Sequence, residues 1–239
     1  MDGPFSNERP RRFDTVLFDA GGVLLDLDYA YLKRLLEARR LEATEDALER
    51  AEAIARTAID RHVREGGSSG DAWRDYFRVI FGRVGAPPSL HEELIDALWE
   101  AHQRVGLWTV PVRGAVDIVS RLHGAGFRIG VVSNAEGRVE RDLASAGFAG
   151  ILDAVVDSHV VGVAKPDPRI FAIALERLRA RPDTAVFVGD VPAVDVVGAR
   201  AAGIAPVLLD RHDLYPTADA PRLRSLDDLP GWLEGEAPA

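Results

Sequence analysis

The stretch Thr15-Val-Leu-Phe-Asp19-Ala-Gly-Gly-Val-Leu-Leu-Asp26 decides the fold. Thr15 to Phe18 are apolar or β-branched and run straight into Asp19. That is the pattern of a strand buried on both faces, delivering a carboxylate to the C-terminal edge of a sheet. Open α/β sheets bind their ligands at that edge. Gly21 and Gly22 let the backbone turn tightly and approach whatever Asp19 faces. Alone, the stretch is equally an ordinary strand ending in a turn, where Asp and Gly are common. The segments downstream decide between the two.

Before this strand, residues 1–12, with Arg9-Pro-Arg-Arg12, read as a loose tail. After it, Val23 to Leu27 reads as a short hairpin or flap beside Asp19. Residues 29–106 then change to a helical period with four amphipathic faces. Leu32, Leu35 and Leu36 form the first; Ala47, Leu48, Ala51, Ile54, Ala55, Ala58 and Ile59 the second. Trp73, Phe77, Ile80 and Phe81 form the third, and Leu90, Leu94, Leu98 and Val105 the fourth. Breaks at Gly66-Gly-Ser-Ser-Gly70 and Gly85-Ala-Pro-Pro88 separate them, so the expectation is a small all-helical cap domain.

From residue 107 the chain alternates between strand and helix. Buried strands are expected at Arg128–Ser133, Ile151–Val156, Ala185–Val188 and Ala205–Leu209. Helices are expected at Val116–Leu122, Arg138–Ala146, Arg169–Arg179 and Val194–Ala202, with a closing helix carrying Leu226, Leu229 and Trp232. Such alternation implies an α/β, Rossmann-like parallel sheet with helices on both faces. Its core would comprise residues 13–28 and 107–239.

Composition narrows the function. A chain of 239 residues that is 47% apolar can bury a real core, and the absence of cysteine excludes disulfides, thiolate metal sites and a cysteine nucleophile. No apolar run is long enough for a membrane span, and the polar N-terminus lacks a signal-peptide core, so a soluble cytoplasmic protein is expected. With a formal charge of −9 and no long basic cluster, neither nucleic acid nor membrane is an expected partner. Only Lys33 and Lys165 are lysines among 29 basic residues. Each is therefore of interest, because an ammonium is a compact point charge that a guanidinium does not replace.

Three strands end in polar residues at one edge: Asp19, then Ser133-Asn134, then Gly189-Asp190. Lys165 lies in Gly162-Val-Ala-Lys-Pro-Asp-Pro168, a loop stiffened by two prolines. Carboxylates here can hold a hard cation such as magnesium, and the cation and the ammonium neutralise a phosphoryl group and leave Asp19 to attack it. Asp195 is either part of this set or simply the N-cap of the next helix.

In this order, Asp19-Ala-Gly-Gly-Val-Leu-Leu-Asp26, Val131-Val-Ser-Asn134, Ala164-Lys-Pro-Asp167 and Val188-Gly-Asp-Val-Pro-Ala-Val-Asp195 resemble the four motifs of the haloacid dehalogenase-like hydrolase superfamily. Gly198-Ala-Arg-Ala-Ala-Gly203 adds to the likeness. The resemblance runs from Phe13 to the final helix and includes a helical cap inserted after the first motif. The stretch between Asn134 and Lys165 is too short for the larger cap of other members.

The resemblance implies roles. Asp19 would be the nucleophile, forming an aspartyl-phosphate, and a Mg2+ ligand. The backbone carbonyl of Gly21, with Asp190 and Asp195, would complete the metal set, Asp195 either supporting the metal or orienting Lys165. Ser133, the backbone of Asn134, Gly22 and Lys165 would hold the phosphoryl group of a small phosphorylated substrate such as a sugar phosphate. Family phosphatases carry a second aspartate two residues after the nucleophile as general acid and base; here that residue is Gly21. Such help is worth about 10² to 10⁴ in rate, which implies slow turnover, a good leaving group, or a substitute acid such as Asp26 or Asp28. Two alternatives stay open. One is a 2-haloacid dehalogenase, which also lacks that aspartate; the other is a non-catalytic phosphate-binding or regulatory relative. Substrate choice would lie with His62, Arg64, Trp73, Arg74, Arg78, His102 and Trp108 of the cap, and with Glu136 and Arg138 after the second motif. Nothing in the sequence discloses the oligomeric state.

Overall fold

A computed structural model describes residues 11–67 and 72–235. The chain divides into two compact units, one formed by the residues up to Asp26 with those from Pro111 on, the other by Leu27–Val110. Strand β1 (Thr15–Phe18) is wholly buried and leads through a turn into β2 (Leu25–Leu27). Helices α1 (Tyr29–Glu37), α2 (Glu45–Arg64), α3 (Trp73–Arg83) and α4 (Pro88–Val105) follow. Three of these four starts have a local cause. The Asp28 side chain accepts from Tyr31 N (2.7 Å), Thr44 Oγ1 accepts from Ala47 N (3.1 Å), and Pro88 opens α4 where its missing N–H costs nothing.

The four apolar faces meet in one core that includes Leu32, Leu36, Leu48, Phe77, Phe81, Leu94 and Leu98, with Leu27 and Leu107 packed into it. Val105 departs from the expected face: it is 63% exposed. Ser68 to Gly70 of the expected break, and residues 1–10 of the expected tail, lie outside the described residues. Within this apolar core sits one carboxylate, Glu52, with no exposed surface. It accepts from the hydroxyl of Tyr29, from the hydroxyl of Tyr76 (2.5 Å) and from Arg56 (2.7 Å). Burial pushes its pKa up, but the Arg56 charge and the two hydroxyls outweigh burial and hold it below the usual value.

The chain returns through β3 (Trp108–Pro111), which pairs with β2 in a two-stranded ribbon. The sequence reading missed this strand because it is short and half-exposed. Thereafter come α5 (Ala115–Gly124), β4 (Arg128–Ser133), α6 (Val139–Leu143), β5 (Ala154–Asp157), α7 (Ser158–Val161), α8 (Pro168–Leu178), β6 (Ala185–Gly189), α9 (Val197–Ala201), β7 (Ala205–Leu209), β8 (Arg222–Leu223) and α10 (Leu229–Leu233). The six strands of the main sheet are ordered β5-β4-β1-β6-β7-β8, and every pairing is parallel. Leu17, Val132 and Phe187 face a core built with Ile170, Phe171 and Ala174 of α8. Val16 and Phe18 alternate to the opposite face and are equally buried, so the sheet is covered on both sides. The tail is anchored from Arg11, which donates to Ala125 O (2.7 Å), and Phe13 stacks on Trp232 of α10.

The strand order reverses at β1, flanked by β4 and β6. That reversal opens the crevice where sheets of this kind bind ligands, and Asp19 stands at its lip.

Glu52→Ala removes the buried carboxylate that joins Tyr29, Tyr76 and Arg56, so the helical unit should lose about 3–5 kcal/mol. Urea unfolding followed by circular dichroism checks this; a shift under about 1 kcal/mol would mean that the network carries little stability.

Candidate active site

Asp19 follows β1, Ser133 ends β4 and Asp190 follows β6, so register alone sets the three at one edge: Phe18 pairs with Val131 and with Val188. Lys165 comes from the loop before α8 and is 3% exposed. Its Nζ lies 2.8 Å from Asp19 Oδ1 and 2.8 Å from Asp195 Oδ1, and 5.2 Å from the centre of the Phe187 ring. Burial pushes this ammonium's pKa down, but the Asp19 and Asp195 carboxylates more than offset it and hold it above the ordinary lysine value.

Asp195 does not cap a helix. Its Oδ2 accepts from the N–H groups of Asp190 (3.0 Å) and Val191 (2.9 Å), residues that precede it. Pro192–Val196 forms a wide helical turn to allow this, so the regular helix starts at Val197 and not at Val194. Gly189 makes room: a Cβ there would stand 2.4 Å from Asp195 Cβ. One oxygen of Asp195 is thus on Lys165 and the other on two amides.

Asn134 also does more than its backbone was expected to do. Its Nδ2 donates to Lys165 O (2.9 Å) and its Oδ1 accepts from Lys165 N (2.7 Å), closing a two-bond clamp on the lysine's own peptide. The loop after Ser133 is held from β5. Asp157 accepts from Gly137 N (2.8 Å), Val139 N (3.4 Å) and His159 N (2.9 Å), while Ser158 Oγ bridges Ala135 N and O at 3.1 Å each. The sequence reading did not single out Asp157 or Ser158; the available signal was a polar pair ending a buried strand.

The Asp19 carboxylate is held on one side. Oδ1 takes the Lys165 ion pair and the Ala20 N–H (2.7 Å), leaving Oδ2 without a partner among the described residues. Burial pushes its pKa up to about 6; Lys165 pulls it down and the Asp195 charge pushes it up again. Asp19, Asp190 and Asp195 each offer an oxygen within 4.8 Å of the others. Lys165 offsets one of these three charges, so the cluster suits a divalent cation held by hard oxygen ligands. Gly21 lies in the turn after Asp19 and bridges to Leu25. Gly22 has a φ of 76° and gives its N–H to Leu25 O (2.8 Å), so it shapes the turn and has no donor left for a phosphate.

Neither expected substitute acid is available. Asp26 is paired with Arg211 (2.5 and 3.3 Å), and Asp28 caps α1. In the helical unit, Arg64 pairs with Asp60 (2.7 Å), and Arg74 and Arg78 are engaged by Glu92, Asp96 and Asp75 on the surface. His102 is buried among Trp73, Trp99 and Trp108. His62 is partly buried on α2, Arg138 pairs with Asp142 (2.7 Å), and Glu136 is exposed.

The profile of haloacid dehalogenase-like hydrolases matches residues 13–203. A phosphoserine phosphatase of Thermus thermophilus is 30% identical over 79% of this chain and 88% of its own length. (S)-2-haloacid dehalogenase 1 of Pseudomonas sp. is 29% identical over 91% of this chain and 95% of its own. Among solved structures, the magnesium-bound putative HAD-hydrolase YfnB of Bacillus subtilis superposes with a TM-score of 0.67 at 21% identity, covering 93% of this chain and 99% of that one. The chain belongs to the haloacid dehalogenase-like hydrolase family and is a hydrolase. Among the described residues, no helix is long and apolar enough to cross a membrane.

Because the folded pKa of Asp19, about 6, lies above the ordinary aspartate value of 3.8, the folded state binds the proton more tightly. Stability therefore falls as pH rises through the interval between the two values, and the full penalty is present above it. In metal-free buffer Asp19→Asn should raise the melting temperature at pH 8, and the gain should shrink as pH falls below 4. Calorimetry across that range checks it; a variant less stable than wild type at pH 8 would contradict the assignment.

Proposed function

We propose that this hydrolase is a magnesium-dependent phosphatase acting on a small phosphomonoester through an aspartyl-phosphate at Asp19. The observation that carries the reading is Lys165 Nζ held 2.8 Å from both Asp19 and Asp195, with Asp190 in the same carboxylate cluster. A nucleophile that only displaced halide from carbon would gain nothing from Asp190: a second carboxylate without a cation repels the first and weakens it. Similarity to a phosphoserine phosphatase supports the same reading.

Magnesium, held by Asp19 and Asp190 with the Gly21 carbonyl at hand, would supply positive charge against the phosphoryl oxygens. Lys165 adds its ammonium there and keeps Asp19 Oδ1 fixed, so Oδ2 is the oxygen presented to phosphorus. The Ser133 hydroxyl and the backbone of Asn134 bind the transferring group from the β4 side. In the first step Asp19 Oδ2 forms a bond to phosphorus while the bond from phosphorus to the substrate oxygen breaks, and that oxygen leaves with the electron pair. Gly21 offers no proton, so the leaving oxygen draws one from solvent. In the second step water attacks phosphorus, the aspartyl oxygen is released as carboxylate, and the water proton passes to solvent. Asp195 orients Lys165, and Asn134 secures the loop that carries it. The helical unit Leu27–Val110 would act as the cap that selects the substrate.

Phosphate release from a panel of phosphomonoesters and acyl phosphates should require magnesium, stop in EDTA, and vanish in Asp19→Asn. Rates should rise with the acidity of the leaving group, spanning about 10² or more between alkyl and acyl phosphates. Halide release from 2-haloacids that persists in EDTA would instead establish the dehalogenase reading, which Gly21 and the haloacid dehalogenase relative favour.

A further inference from the structure

We propose that Arg211 is a positioning residue for the nucleophile, acting through Asp26 and the turn that joins it to Asp19. The inference rests on Asp19 being the nucleophile, whichever bond it breaks. Arg211 follows β7 and lies far along the chain from Asp26, yet the two form a two-pronged ion pair with distances of 2.5 and 3.3 Å. Both side chains are mostly shielded, at 18% and 16% exposure. An ion pair in that setting is screened less than one on the surface, and its forked geometry fixes direction as well as distance.

Arg211 is itself set by its neighbour. Asp210 is buried and accepts from Leu214 N (2.8 Å), Tyr215 N (3.0 Å) and Arg222 (2.9 Å). The loop that follows β7 is thereby folded back on one carboxylate, and Arg211 leaves it from a fixed base. Asp26, at the other end, is the last residue of its unit before the chain crosses into the helical one.

Between Asp26 and Asp19 the connection is unbroken. The carbonyl of Ala20 accepts from Val23 N (3.4 Å), Leu24 N (2.8 Å) and Leu25 N (2.8 Å), and Leu25 O accepts from Gly22 N (2.8 Å). The Ala20 N–H meanwhile donates to Asp19 Oδ1 at 2.7 Å. One residue, Ala20, thus holds the nucleophile through its N–H and the whole turn through its carbonyl. Fixing Asp26 fixes Leu25, Leu25 fixes Ala20, and Ala20 sets which carboxylate oxygen of Asp19 stays free. Two glycines in this turn make the backbone too soft to keep that geometry by itself.

The test compares Arg211→Gln, Asp26→Asn, their combination and Arg211→Lys, using p-nitrophenyl phosphate with magnesium and amide hydrogen exchange at Leu24 and Leu25. Each neutral single variant should lower kcat about tenfold, with KM within about twofold, since a small misplacement of a reacting group costs rate before affinity. The combined variant should be no worse than either alone, and Arg211→Lys should recover part of the rate. Exchange at Leu24 and Leu25 should quicken in step with the loss of kcat. Unchanged exchange, or losses that simply multiply in the combined variant, would overturn the proposal. If the wild type releases no phosphate, the phosphatase reading fails on its own, and exchange still decides: quickened exchange in both single variants upholds the latch, and unchanged exchange removes it.

Discussion

One buried ammonium organises the molecule. Lys165 is almost wholly withdrawn from water, and an uncompensated charge there would cost several kcal/mol. It is tolerable because Asp19 and Asp195 each stand 2.8 Å away. Every neighbouring feature serves to keep those three groups together. The parallel register brings β1 and β6 to the same height; the Pro192–Val196 turn folds Asp195 back beneath the strand end; and Asn134 grips the peptide of Lys165 from the β4 side. Without a side chain at position 189, Asp195 can come close enough to bond two amides at once.

That arrangement divides labour among carboxylates that look alike in sequence. Asp195 uses both oxygens on fixed donors and so behaves as scaffold. Asp19 has its two bonds on one oxygen, which leaves the other exposed to whatever enters the crevice. Burial, and then the nearby Asp195 charge, make Asp19 costly to ionise and raise its pKa, and added positive charge would relieve that cost.

Much of this was legible in the sequence, because it lies in local patterns. The buried run ending in Asp19, the polar residues after β4 and β6 and the rare lysine between prolines identify the sheet edge by chemistry, and helical periodicity marks the four helices by their core faces. What was not legible depends on contacts between distant segments. The Asn134 clamp, the Asp157 anchor and the Arg211–Asp26 pair join residues with no regular spacing, so periodicity and motif order are silent about them. Short elements were lost for the same reason: β3 and β8 owe their form to their partners and carry no pattern of their own. Where a helix was expected to begin at Val194, the side chain of Asp195 was more useful to the site turned backward than as a cap, and tertiary demand overrode local preference.

The fates of Asp26 and Asp28 bear on the kind of chemistry the site can do. Both are near Gly21 in sequence and either might have stood in for an acid there. Asp26 is spent on Arg211 and Asp28 on the first turn of α1. A carboxylate forked onto a guanidinium has both oxygens engaged and gives up that pairing at a cost before it could serve a substrate. The burden of the leaving group therefore falls on the substrate. Oxygens that depart readily as anions, such as those of acyl or enol phosphates, need no acid from the protein; an alkyl oxygen does. Under the proposed phosphatase chemistry the same lack would slow the attack of water on the aspartyl-phosphate, since Gly21 has no group to take the proton. A site that keeps its carboxylate cluster and its buried ammonium but lacks the acid at position 21 would leave proton transfer to solvent, a division that favours substrates already activated by their own chemistry.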